Sequence, residues 1–118
     1  MIALPDPVLV YVAGPFRGVT PWAVEQNIRA AEAIGFALAG VGVVPVIPHT
    51  MFRFFDKTQT DRFWLDGTLE LLRRCDAVCL LTTWEQSAGA RGEKTEADRL
   101  GLPVFRSVDD VAKWAASR

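Results

Sequence analysis

Six consecutive apolar residues, Val8-Leu9-Val10-Tyr11-Val12-Ala13, limit most tightly what this chain can fold into. They offer hydrophobic side chains to both faces of a strand, the pattern of a strand covered on both sides within a parallel sheet. Shorter runs of the same kind follow at Val43–Ile47, Asp76–Leu81 and Pro103–Phe105. Pro45 cannot donate to a ladder, so the second run is expected at a sheet edge.

Between the runs lie segments with helix signals. Thr20 is placed as an N-cap with Pro21 at the first helical position. That helix is expected to reach about Ala39, with Val24, Ile28, Ala31, Gly35 and Leu38 on one stripe and Gly40 ending it. A second helix is expected from Asp61 to Arg74, turning Leu65, Leu69 and Leu72 inward. A third ends at Leu100 before Gly101, and Ser107 with Asp110 forms a capping box for the last. The alternation predicts one doubly wound, Rossmann- or flavodoxin-like α/β domain over residues 1–118, with a parallel sheet of four to five strands and helices on both faces. With strand 1 between strands 2 and 3, the switch point lies between strands 1 and 3, beside the loops Gly14–Gly18 and Thr83–Gly89.

Bulk properties narrow the partners. A chain of 118 residues can bury a core without staples, and a net charge of −1 leaves no footprint for a nucleic-acid polymer or an acidic membrane. A mononucleotide needs only one or two cations. The most apolar segment, Phe36 to Pro48, is interrupted by Gly40, Gly42 and Pro45 and is too short to span a bilayer. The opening segment, residues 1–7, has neither a basic region nor a long apolar run, so no leader is expected. Cys75 and Cys79 lack zinc-site spacing and flank the start of a strand, where cysteine acts as a small hydrophobe. The expectation is a soluble cytoplasmic protein with no metal or organic cofactor.

Several residues can carry chemistry. Gly14-Pro15-Phe16-Arg17-Gly18 has neither the Walker nor the dinucleotide spacing. A small turn with one Arg suits a single phosphate, or Arg17 is a solvated residue beside a turn. Glu93 is expected in the first turn of its helix, where the macrodipole favours the ionised carboxylate, whether for a substrate or merely as dipole complementation. Glu96 is expected to be solvated or paired with Lys94 or Arg99, and Asp76 reads as a strand-start residue. His49 lies on the ligand side of the sheet, as a substrate contact or a loop hydrogen-bonder. Pro48–Lys57, rich in aromatics and without period, is a candidate binding loop.

These residues resemble the nucleoside 2-deoxyribosyltransferase-like superfamily. The likeness lies in Val10-Tyr11-Val12-Ala13-Gly14-Pro15-Phe16-Arg17-Gly18, Pro48-His49, Cys75-Asp76-Ala77 and Trp84-x-x-Ser87-x-Gly89-Ala90-x-x-Glu93-x-x-x-Ala97. It is strongest to the small phage and bacterial uncharacterised branch, which is similar to the deoxynucleoside 5′-monophosphate N-glycosidases. The resemblance implies that Glu93 attacks the anomeric carbon and that Tyr11 holds it. It also implies that the turn Pro15–Gly18, with Arg17, and Ser87 hold the 5′-phosphate, and Gly14, Phe16, Gly18, His49 and Gly89 are candidate substrate-binding residues beside them. The family usually places an acid eight residues before the strand-start aspartate, and that position is Thr68. Asp66 is then the candidate substitute, or His49 assists the leaving base. The expected function is hydrolysis or transfer at an N-glycosidic bond of a nucleotide or nucleoside, in a homodimer or higher homo-oligomer. The alternatives are a non-catalytic nucleotide sensor of the same fold and an interaction scaffold.

Overall fold

The computed structural model describes residues 6–55 and 57–118. Most of the opening segment read as free of a leader, and Asp56 in the aromatic loop, lie outside the described residues. Among the described residues four strands form one parallel sheet in the order β2-β1-β3-β4: β1 Leu9–Ala13, β2 Val44–Val46, β3 Ala77–Leu80 and β4 Val104–Phe105. Among the described residues five helices accompany them: α1 Pro21–Gly40, α2 Pro48–Met51, α3 Asp61–Arg73, α4 Ala88–Leu100 and α5 Val108–Ala116. A single 3₁₀ turn, Trp84–Gln86, precedes α4. No helix among the described residues is long and apolar enough to cross a membrane.

The doubly wound arrangement follows from the two-residue period of the strands. Val10 and Val12 of β1, with Ala77 and Cys79 of β3, pack against Ala31 and Leu38 of α1 and Val111 of α5. The alternate residues Tyr11 and Ala13, with Val78 and Leu80, pack on the other face against Leu72 of α3 and Ala97 of α4. β1 is central as expected, and Pro45 of β2 sits on the outer edge opposite Val10. Asp76 anchors the start of β3 to β1, its carboxylate accepting the Leu9 N–H at 2.8 Å.

Three local expectations are corrected. Helix α1 passes through Gly40, and the chain turns at Val41 and at Gly42, whose φ of 90° lies in the region glycine favours. The Pro48–Lys57 segment opens with the helical turn α2, because Pro48 at the first helical position is pre-set for it and has no N–H to leave unpaired. Leu65, expected inward, is exposed and faces a cleft, while Leu72 enters the core. The N-caps Thr20 and Ser107 stand as read, and Ser87 proves to be a third; each accepts from a backbone N–H three residues on, at 3.1 Å.

Candidate active site

A cleft of about 640 Å³ opens at the carboxyl ends of β1 and β3, beside the switch point. Its walls come from the turn after β1, from α2, from the first half of α3 and from the start of α4. Tyr11, Gly14, Phe16, Arg17, His49, Ser87, Gly89 and Glu93 are thereby brought together. Gly18 instead lines a neighbouring hollow of about 500 Å³ with Arg53 and Lys57. A side chain at Gly18 would press on Ala23, since a Cβ there would lie 2.6 Å from that residue's own.

Glu93 is half-buried in the wall and lies in the second turn of α4, not the first. The dipole therefore does little for it, and burial dominates. The carboxyl is pushed up to about 7, opposed only in part by its hydrogen bond with Tyr11. Its sequence neighbours are engaged elsewhere: Arg91 donates to Glu85 O at 2.6 Å, and Lys94 pairs with Asp98 at 2.6 Å. Glu96 pairs with Arg99 and Arg73.

Tyr11 is buried on the face of β1 that looks toward α3 and α4, so its hydroxyl reaches both helices. It is the hydrogen-bond partner of Glu93 on α4 and Thr68 on α3. Burial and the neighbouring Glu93 carboxylate raise its own pKa well above the usual phenol value, so it stays protonated.

The turn after β1 is tied down by two side chains. His49 Nε2 lies 3.1 Å from Gly14 O and 2.9 Å from Pro15 O, and Asn27 donates to Phe16 O at 3.1 Å and Arg17 O at 3.0 Å. Four successive carbonyls are thus held by partners outside the turn. Two acceptors at one nitrogen place the proton of His49 on Nε2, and burial lowers its pKa, keeping the ring neutral. His49 is therefore a loop hydrogen-bonder. Its Nδ1 is buried without a partner, as is the indole nitrogen of Trp64.

The guanidinium of Arg17 pairs with Asp61 at the start of α3, and both side chains are largely solvent-exposed. Ser87 spends its hydroxyl oxygen on capping α4. Asp66 is not brought to the cleft: it is exposed and pairs with Arg62 at 2.9 Å, one helical turn away. Two residues along an α-helix turn a side chain through slightly more than a half circle, and Thr68 faces the cleft in its place.

Sequence reasoning missed Asn27, Asp61, Arg62 and Trp64, while Phe52 belongs to the candidate binding loop Pro48–Lys57 and does line the cleft. Asn27 stands on the polar side of an amphipathic helix and carries no local signal. Phe52 and Trp64, with ring centroids 5.2 Å apart, form an aromatic wall from two elements. Among the described residues, no group of three or more His, Cys, Asp and Glu side chains could hold a metal ion. Cys75 and Cys79 are free, and burial pushes each thiol up to about 11.

No curated protein matches the chain. The family described as Domain of unknown function (DUF4406) matches residues 8–106, and the chain belongs to that family.

Proposed function

We propose that this cleft takes a nucleoside or its 5′-monophosphate and breaks the N-glycosidic bond, with Glu93 as the nucleophile at C1′. The observation that carries this reading is the half-buried Glu93 carboxyl held by Tyr11 in a cleft sized for a small molecule. In its ionised form Glu93 meets the positive charge that develops at C1′. One carboxylate oxygen bonds to C1′ as the C1′–N bond breaks, and the base leaves with the bonding pair and takes a proton. Water then attacks C1′ and gives up one proton to solvent, releasing the sugar and the carboxylate; a second base in place of water gives transfer. Asp66 is not available as the acid, so the proton for the base comes from solvent water. The Arg17 turn and Ser87 flank the phosphate end, and the aromatic wall of Phe16, Phe52 and Trp64 flanks the base. Exposed Phe54 and Phe63 near the cleft suit contact with a second copy of the chain, and nucleotide substrates suit a cytoplasmic enzyme.

The displacement of Asp66 also favours a second reading, a nucleotide sensor without catalysis. Incubation with nucleosides, deoxynucleosides and their 5′-monophosphates, followed by chromatography for free base, separates the two. Base release abolished by Glu93→Ala supports the enzyme. Binding without release supports the sensor, and no binding at all sinks both.

A further inference from the structure

Asn27, in the second turn of α1, spends its side-chain amide nitrogen on two successive carbonyls of the turn after β1. It donates to Phe16 O at 3.1 Å and to Arg17 O at 3.0 Å. Two carbonyl acceptors at one atom fix which way round the amide lies, because an oxygen there would face two oxygens. No peptide bond among the described residues is cis. In a trans peptide the N–H points opposite to the carbonyl. With Phe16 O and Arg17 O turned to α1, the N–H groups of Arg17 and Gly18 are turned away from it.

This hold matters most at the Arg17–Gly18 peptide. Position 18 needs glycine for space, since a Cβ there would lie 2.6 Å from Ala23 Cβ and 3.0 Å from the Val24 nitrogen. Glycine also leaves the peptide before it free to turn over. A rotation through about a half circle exchanges the carbonyl and the N–H, and it carries φ of residue 18 into the left-handed region that glycine enters without strain. In the structure φ of Gly18 lies outside that region. Turned over, the peptide would break its bond to Asn27 and set the Arg17 oxygen on the side away from α1. There it would repel an anion that the Gly18 N–H attracts.

We propose that Asn27 is a positioning residue that makes the turn selective for a 5′-phosphate. It locks the Arg17–Gly18 peptide so that the turn bearing the Arg17 guanidinium meets an anion with a donor rather than an acceptor. The lock acts on the main chain and is separate from the Arg17–Asp61 pair, which engages the side chain. His49 holds the two preceding carbonyls, Gly14 O and Pro15 O, so the part played by Asn27 is confined to residues 16–18. The phosphate half of this proposal rests on the nucleotide reading above; the lock itself does not.

Calorimetric titration of a nucleoside 5′-monophosphate and of its nucleoside tests the selectivity. Asn27→Ala is expected to weaken the monophosphate about tenfold and to leave the nucleoside unchanged. Asn27→Asp, nearly the same shape with an oxygen facing the two carbonyls, is expected to weaken the monophosphate at least as much. Limited trypsin digestion reads the lock without any ligand, because trypsin cuts the Arg17–Gly18 bond itself. Asn27→Ala is expected to speed that cut about tenfold, while the cut after Lys94, inside α4, keeps its wild-type rate. Equal acceleration at both bonds would mean general loosening and overturns the proposal. An unchanged rate at Arg17, or an equal loss of both ligands, overturns it as well. Wild-type protein that binds neither ligand, with the cut at Arg17 still selectively faster in Asn27→Ala, would sink the nucleotide reading and leave the lock standing.

Discussion

His49 Nε2 lies 2.9 Å from the carbonyl oxygen of Pro15, with Gly14 O beside it at 3.1 Å, and so one buried ring sets the shape of the turn that ends β1. Removing the ring in His49→Ala leaves two carbonyls without their partner and opens a hole, a loss of about 2–4 kcal/mol. The pH dependence has a definite sign. Burial holds the folded-state pKa of His49 below its ordinary 6.5, so the unfolded chain takes up a proton first as pH falls. The stability that His49 lends is present above 6.5 and declines below it. Urea unfolding at pH 7.5 and 5.5 should show the gap between wild type and His49→Ala narrowing at the lower pH.

Glu93 acts in the opposite direction. Its folded pKa, about 7, stands above the ordinary 4.5, so the folded state holds a proton that the unfolded chain has lost between those values. Stability is full below about 4.5, falls as pH rises toward 7 and then levels off. Glu93→Gln removes the charge and keeps the shape. It should match wild type near pH 4.5 and exceed it by about 1–3 kcal/mol at pH 8, the remainder of the shift being screened by solvent at a half-buried group. A variant equal to wild type at pH 8 would show that Glu93 ionises without cost.

Asp61 sits against the one arginine of the β1 turn and competes with any anion for it. The pair is exposed, with side-chain accessibilities of 65 % for Arg17 and 76 % for Asp61, so breaking it costs the fold about 1 kcal/mol or less. Asp61→Asn should tighten binding of a nucleoside 5′-monophosphate several-fold at low salt and leave binding of the nucleoside unchanged. Calorimetric titration with the two ligands reads both. An equal change for both would place the phosphate away from Arg17.

Gly14 is needed for space. A Cβ there would lie 2.2 Å from Leu81 Cδ1 and 2.8 Å from Leu81 Cβ, too near the main chain for a rotamer change to relieve. Gly14→Ala should cost about 1–3 kcal/mol through overpacking. Adding Leu81→Ala should recover part of that loss, and the double-mutant cycle should show coupling of about 1 kcal/mol or more.

What could be read from the residues was set by how local the cause is. The run Val8–Ala13 announced a strand covered on both faces, and Pro45 announced an edge, because both effects live within a few residues. The caps at Thr20 and Ser107 are local in the same way. Glu93 was legible as a candidate, but its environment was not. Its titration depends on burial by α3 and β1, which no spacing within α4 encodes. Trp64 reaches the cleft, and Asn27 the turn beside it, through helix packing, so their part was invisible in one dimension. The short helix α2 escaped because four residues are too few for a period.

The proline at the sheet edge has a consequence for the chain in a crowded solution. Val44 N donates to Val8 O at 2.8 Å, so in this parallel ladder the groups of residue 45 point outward. In a strand of three residues, that leaves residue 45 alone to face outward, and Pro45 has no N–H. An incoming strand from another molecule finds one carbonyl along that border and no amide hydrogen to accept. The opposite border, β4, is only two residues long. Neither flank can template the strand-by-strand growth that leads to fibrils, so this sheet is closed to polymerisation by covalent structure at one border and by brevity at the other.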